Sequence, residues 1–193
     1  MDRSQILEKN VIELYQEENP NRADWADWLL DNHVLIVAAN ASDLAKRFGA
    51  NEELARAAAL LHDIADTQAR RSDKNHAVIS LQIARQLMEE AGYIEEEIKL
   101  VVDDAIRYHS CHNGEHPNSL EGKILSTADS LAHLKTGFYI FTTWALSKEM
   151  TLDEIKTWTL GKIERDLHNK IFFAEIRKEV TPDYQRIKEL FSK

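Results

Sequence analysis

The chain has 193 residues, a formal net charge of -9, 44% hydrophobic and 30% charged residues, and only 6 Gly and 3 Pro. That length favours one domain with a real core, and that composition excludes a low-complexity chain. The acidic balance argues against nucleic-acid polymers or anionic membranes as partners. No apolar run reaches the roughly 18 residues of a membrane helix, and "MDRSQILEKN" lacks the apolar stretch of a signal peptide. The lone cysteine, Cys111, fits a reducing compartment, and a cytoplasmic protein is expected.

Apolar residues recur at helical spacing almost throughout, and strict alternation over strand length is hard to find, so the expected fold class is all-α. Leu7, Val11 and Leu14 mark a short first helix that ends before Pro20. A long helix follows, with Trp25, Leu29, His33, Ile36, Val37, Leu44 and Phe48 on its apolar face and Gly49 as its C-cap. "NEELARAAALLHDIAD" predicts a central helix, apolar over most of its circumference, that carries His62, Asp63 and Asp66. "TQARRSDKN" is a loop, and Asn75 or Asp73 caps the next helix, which has His76 in its first turn and ends at Gly92.

From about Ile94, a further helix places Ile98, Val101, Val102, Ala105 and His109 on one side, and "HSCHNGEHPN" forms a loop with a turn at Asn113-Gly114. Ser119 caps "LEGKILSTADSLAHLK", in which Leu125, Asp129 and Ala132 share a face. Then come "FYIFTTWALSKEM", a helix opened by the Thr151 and Glu154 capping box, and a last short helix from Thr181-Pro182. The segment after about Phe138 shows no cluster of ionisable groups on an apolar face, so it is expected to support the core. The whole reads as one domain over 1–193, with a metal-site core at about 22–137 and a C-terminal helical extension at about 138–193 that covers the pocket or pairs two subunits.

His33, His62, Asp63 and Asp129 fall where three separate helices should bury apolar side chains. An unpaired buried carboxylate costs several kcal/mol, and one metal ion would satisfy all four groups. For any one of them alone, a hydrogen-bonded internal polar group is the simpler account.

The ordered set H…HD…D, within "ALLHDIAD" and "ILSTADSL", resembles the HD-domain metal-dependent phosphohydrolases over approximately Asn32 to Lys135. "RYHS" is similar to small bacterial HD proteins that carry HS at this point, some of which act on nucleotides. The resemblance implies a compact helical bundle of the HD type, with the catalytic ion on His33, His62, Asp63 and Asp129. It also implies a binuclear variant in which His76 and His109 hold a second ion and Asp63 bridges the two. A histidine-rich donor set favours Mn, Fe, Co, Ni or Zn over Mg.

Metal-activated water points to hydrolysis of a small phosphorylated molecule, a nucleotide foremost. Asp66 is the candidate proton shuttle, and Arg70, Arg71 and Lys135 are candidate ligands for substrate phosphate. His133, one turn after Asp129, orients that carboxylate or lies on the surface. Two other classes stay open: a metal-retaining ligand-binding or regulatory module without turnover, and a di-iron HD-type oxygenase. A homo-oligomer is compatible with each.

Overall fold

The computed structural model describes residues 1–192, and among them there is no strand. The fold is all-α, as expected from the periodicity.

Asp2 opens α1 (Arg3–Gln16) with a capping box, accepting from the Gln5 amide while the Gln5 side chain accepts from its own. Leu7, Val11 and Tyr15 form the buried stripe of this helix. The long helix α2 (residues 26–48) is built from Ala26–Leu29, a π-helical turn at Leu30–Val34, and Leu35–Phe48, and it closes on Gly49 with φ 75°. That left-handed value is one glycine adopts without strain. Next is α3 (Glu52–Leu61), capped by the Asn51 side chain, in which Ala55, Ala57, Ala58 and Ala59 are all buried.

After α4 (His76–Ala91) comes α5 (residues 95–106), made of Glu95–Ile98 and a π-helical stretch Lys99–Ile106. Ser119 caps α6 (Leu120–Lys135), and α7 spans Phe138–Leu146. In α8 (residues 152–170), Leu152–Arg165 runs into a π-helical turn at Asp166–Lys170, and α9 covers Ala174–Ser192.

Helices α2, α3 and α6 pack against one another at the centre. The alanines of α3 permit this, because a helix with single-carbon side chains can approach its neighbours closely. Gly122 does the same where α6 meets α5: a Cβ there would sit 2.5 Å from Pro117 Cβ and 3.1 Å from Ala105 Cα. On one side α1 covers α3 and α4, and on the other α9 lies across α8 and α6. Among the described residues, no helix is long and apolar enough to cross a membrane.

Two elements differ from the sequence reading. The central helix does not run through to Asp66: α3 stops at Leu61, His62 is its C-cap, and Asp63 at φ -113°, ψ 20° turns the chain into a 3₁₀ turn, Ile64–Thr67. Tertiary partners hold that turn. The Tyr15 hydroxyl donates to the Asp63 carbonyl at 3.1 Å, and the Ala23 amide donates to the Asp66 carbonyl at 2.8 Å. The second difference is Pro182, which lies inside α9 and does not begin a helix. Ile176, Val180 and Tyr184 are buried on both sides of it, so packing of one continuous face outweighs the hydrogen bond that proline removes.

Candidate metal centre

The π-helical turn of α2 carries His33, which is 1% exposed, towards the end of α3. Its Nε2 lies 3.1 Å from Nε2 of His62. His62 Nδ1 donates to the Ala59 carbonyl at 2.7 Å, which places its proton there and leaves the Nε2 lone pair facing inward. Burial lowers the His62 pKa, so the ring is neutral, the form that binds metals.

Asp129, from α6, brings Oδ1 to 3.2 Å from His33 Nε2 and 3.9 Å from His62 Nε2. Asp63, at the helix break, brings Oδ2 to 3.7 Å and 3.5 Å from the same two nitrogens. Donor atoms of His33, His62 and Asp129 all lie within 4.8 Å of one another. Asp129 Oδ1 is buried and accepts no well-oriented hydrogen bond, although His133 Nε2 is 3.0 Å away. Imidazole nitrogens facing an orphaned carboxylate oxygen fit a divalent transition ion.

Both carboxylates are ionised. Burial pushes Asp63 up, but Arg71, His62 and His33 outweigh it and hold the group well below the usual carboxylate range. Burial likewise opposes ionisation of Asp129, and His133, Lys170 and His33 together reverse it.

The remaining residues expected at the site separate into two groups. Arg71 lines the cavity above the cluster and bridges Asp63 and Asp66, at 2.6 Å to each. His109 also lines it; its Nδ1 donates to the Ile106 carbonyl at 2.6 Å, and its ring meets that of His62 edge-on at 5.4 Å. Burial, with His62 and Lys170 nearby, pushes the His109 pKa down to about 4. Asp66, by contrast, is fully buried behind Arg71 and outside the cavity wall. Its other oxygen is 2.8 Å from His76 Nε2, so His76 faces Asp66 and not the cluster. Arg70 and Lys135 are exposed and do not reach the cavity.

The C-terminal helices bring residues that the sequence reading assigned to structural support. Lys170, 3% exposed, bonds Asp129 Oδ2 and lies 3.9 Å from Asp166. Fully buried Asp166 accepts from the Tyr139 hydroxyl and sits 3.0 Å from His133 Nδ1 and 3.5 Å from Lys162 Nζ. His133 is buried, and its ring stacks on that of His33 at 5.0 Å. The segment after Phe138 therefore does carry an ionisable cluster, contrary to expectation. Its signal in the sequence is Lys162, Asp166 and Lys170 at intervals of four, a spacing shared with ordinary solvated helix faces.

Above the cluster is a cavity of about 330 Å³ with Asp63, Asp129 and His109 in its wall. Arg71, Lys162, Arg165 and Lys170 supply positive charge, and Trp25, Trp28, Phe141 and Trp158 supply aromatic surface.

A helical core holding this His/Asp set defines a class: residues 30–134 match the family model for the HD domain, and the chain belongs to the HD-domain family. Proteins of this superfamily are generally metal-dependent hydrolases. Among curated proteins, it is similar to the ribonuclease Y of Treponema denticola, 33% identical over 105 residues, and that of Petrotoga mobilis, 34% identical over 105. Each match covers 54% of this chain and 18% of the relative, so the chain spans only a small part of the length of those proteins. No solved structure matches it.

Proposed function

We propose that this protein is a metal-dependent phosphohydrolase for a small phosphorylated molecule, a nucleotide foremost, with one transition-metal ion held by His33, His62, Asp63 and Asp129. The observation that carries this reading is the convergence of His33, His62 and Asp129, with Asp63 Oδ2 at 3.7 and 3.5 Å from the two imidazole nitrogens, beneath a cavity whose other charged groups are cations. One ion is favoured over two. His76 is committed to Asp66, and Lys170 holds Asp129 Oδ2, the oxygen that a second ion would need. Mn, Fe, Co, Ni and Zn suit the donors better than Mg does.

When bound, such an ion acidifies water and polarises a phosphoryl oxygen. The protein groups complete the chemistry. His109, with Nδ1–H held by the Ile106 carbonyl, presents an unprotonated Nε2 at neutral pH and can take a proton from the attacking water. Water adds at phosphorus, the P–O bond to the leaving group breaks, and the proton taken by His109 passes to the departing oxygen. Asp66 becomes a positioning residue that fixes Arg71, which in turn fixes Asp63. The cavity lies at the lower end of the ~300–1,000 Å³ range of small-molecule sites, which suits a nucleotide better than a strand. The name of the relatives favours a second reading, hydrolysis of RNA, against which the net charge of -9 stands.

The test is metal content of the purified protein beside His62→Ala, followed by phosphate release from nucleotides and cleavage of a short oligoribonucleotide. A transition metal near one per chain, lost in the variant, with phosphate or pyrophosphate released by the parent, is the expected result. Preferential cleavage of the oligoribonucleotide would establish the RNA reading. Metal without turnover of any phosphoester would leave a binding module, and two irons with oxygen consumption would indicate an oxygenase.

A further inference from the structure

The face that α8 turns to the cavity consists of Trp158, Lys162 and Arg165, all three in its wall. Their spacing, i, i+4 and i+7, puts them on one side of a helix. From Trp158 to Arg165 the strip advances about 10 Å at ~1.5 Å per residue, and the helix ends at Lys170 on Asp129. It therefore leads from the cavity mouth, where Trp158 is 37% exposed, to the His/Asp cluster.

Among the described residues, two members of the strip have no protein partner for what they offer. Of the four cations in the wall, Arg71, Lys162 and Lys170 each face a carboxylate, and among the described residues Arg165 faces none. Of the aromatic groups, Trp28 is stacked on Phe141 at 3.7 Å and Trp25 lies under Arg71 at 5.8 Å, whereas the Trp158 ring meets no other ring among the described residues. An uncompensated guanidinium recognises phosphate through paired hydrogen bonds, and a free indole face stacks a base. The metal cluster is a second position for an anion, about 7 Å further along the helix at ~1.5 Å per residue. A ligand that satisfies all three has a planar base and more than one phosphoryl group.

We infer that Trp158 and Arg165 form the specificity subsite for a nucleoside di- or triphosphate, with Arg165 holding a phosphoryl group that does not react and Trp158 stacking the base. This rests on the phosphohydrolase reading and extends it to residues outside the segment 30–134 that matches the HD family. Selectivity then belongs to the C-terminal helices, and hydrolysis to the core.

The experiment compares KM and kcat for nucleoside mono-, di- and triphosphates and for p-nitrophenyl phosphate in the parent, Arg165→Ala, Trp158→Ala and Trp158→Phe. Arg165→Ala is expected to raise KM for the di- and triphosphate by roughly tenfold relative to KM for p-nitrophenyl phosphate, with kcat changing less than KM. Trp158→Ala should weaken all nucleotides by roughly tenfold relative to the same reference, and Trp158→Phe should restore most of it. Equal loss on p-nitrophenyl phosphate and on nucleotides, or no change in either variant, would overturn the subsite while leaving the hydrolase reading intact. A parent that turns over no phosphoester fails the hydrolase reading. In that case, tryptophan-fluorescence quenching by a nucleoside diphosphate, reduced in Trp158→Phe and weakened in Arg165→Ala, supports the subsite alone, and its absence overturns it. A monophosphate bound as tightly as the diphosphate, or an oligoribonucleotide bound more tightly, overturns the assignment of the second phosphoryl group.

Discussion

The segment that matches the HD family, residues 30–134, and the helices after it divide the cavity by charge. The first supplies His33, His62, Asp63 and Asp129, a set of lone pairs and negative charge. The second supplies Lys162, Arg165 and Lys170, with Asp166 and Tyr139 buried behind them. Each side buries groups that are costly without the other, since an ionised carboxylate or ammonium in an apolar interior needs a partner of opposite sign. The lesson is that α7 to α9 are not an appendage to a finished site. They complete its charge, and the ion pair of Lys170 with Asp129 is the seam.

Substitutions that attack the two sides separately test this division. The largest effect belongs to the core: Asp129→Asn should lose the bound metal and reduce phosphoester turnover to background, checked by elemental analysis and phosphate release. A variant that kept its metal would show that Asp129 is not a ligand. Next is the seam. Lys170→Met leaves Asp129 and Asp166 short of a positive charge, and breaking a buried pair costs about 3–5 kcal/mol. At roughly 2–4 °C per kcal/mol for a chain of this size, the metal-free protein should melt some 6–20 °C lower, and added transition metal should raise the variant's Tm more than the parent's. An unchanged Tm would mean that the two sides do not depend on each other.

A smaller loss is expected from Asp66→Asn, which loosens Arg71 behind Asp63; metal affinity should fall about 10–100-fold, as measured by competition with a chelator. Tyr139→Phe leaves Asp166 without its hydroxyl donor and should cost about 1–3 kcal/mol in denaturant unfolding.

Lowering the pH supplies a further test. The folded pKa of His109 is about 4, below the ordinary histidine value of about 6.5. Between those values the unfolded chain binds more protons at this group, so its contribution to the stability of the metal-free protein should decline as pH falls from about 6.5 through about 4, and the low-lying carboxylates Asp63 and Asp129 continue the decline at lower pH. His109→Gln should flatten that part of a Tm-against-pH curve.

Much of the core was legible because it violates a pattern. A histidine or aspartate on an apolar helical face, as at His33 and Asp129, is conspicuous, and Gly49 and Gly92 end their helices as read. The break at Asp63 was not legible, because the groups that hold it, Tyr15 and Ala23, come from distant parts of the chain. Lys162, Asp166 and Lys170 were missed for the opposite reason: charges four apart conform to the pattern of a wet helix surface, and only packing against α6 and α7 buries Asp166 and Lys170 and half-buries Lys162. Basic residues near the motif were equally misleading. Arg70 and Arg71 are adjacent, yet only Arg71 reaches the carboxylates.

His33 and Lys170 both sit in π-helical turns, and His109 follows shortly after a third such stretch. A π turn accommodates one residue more than an α turn before the helix resumes. Deleting a single residue between Leu30 and Val34 would restore an ordinary helix, with the flanking core positions still able to pack, and rotate the imidazole by about 100° from its partners. Chain length within that one turn, as much as the identity of the residues in it, decides whether this scaffold can hold an ion.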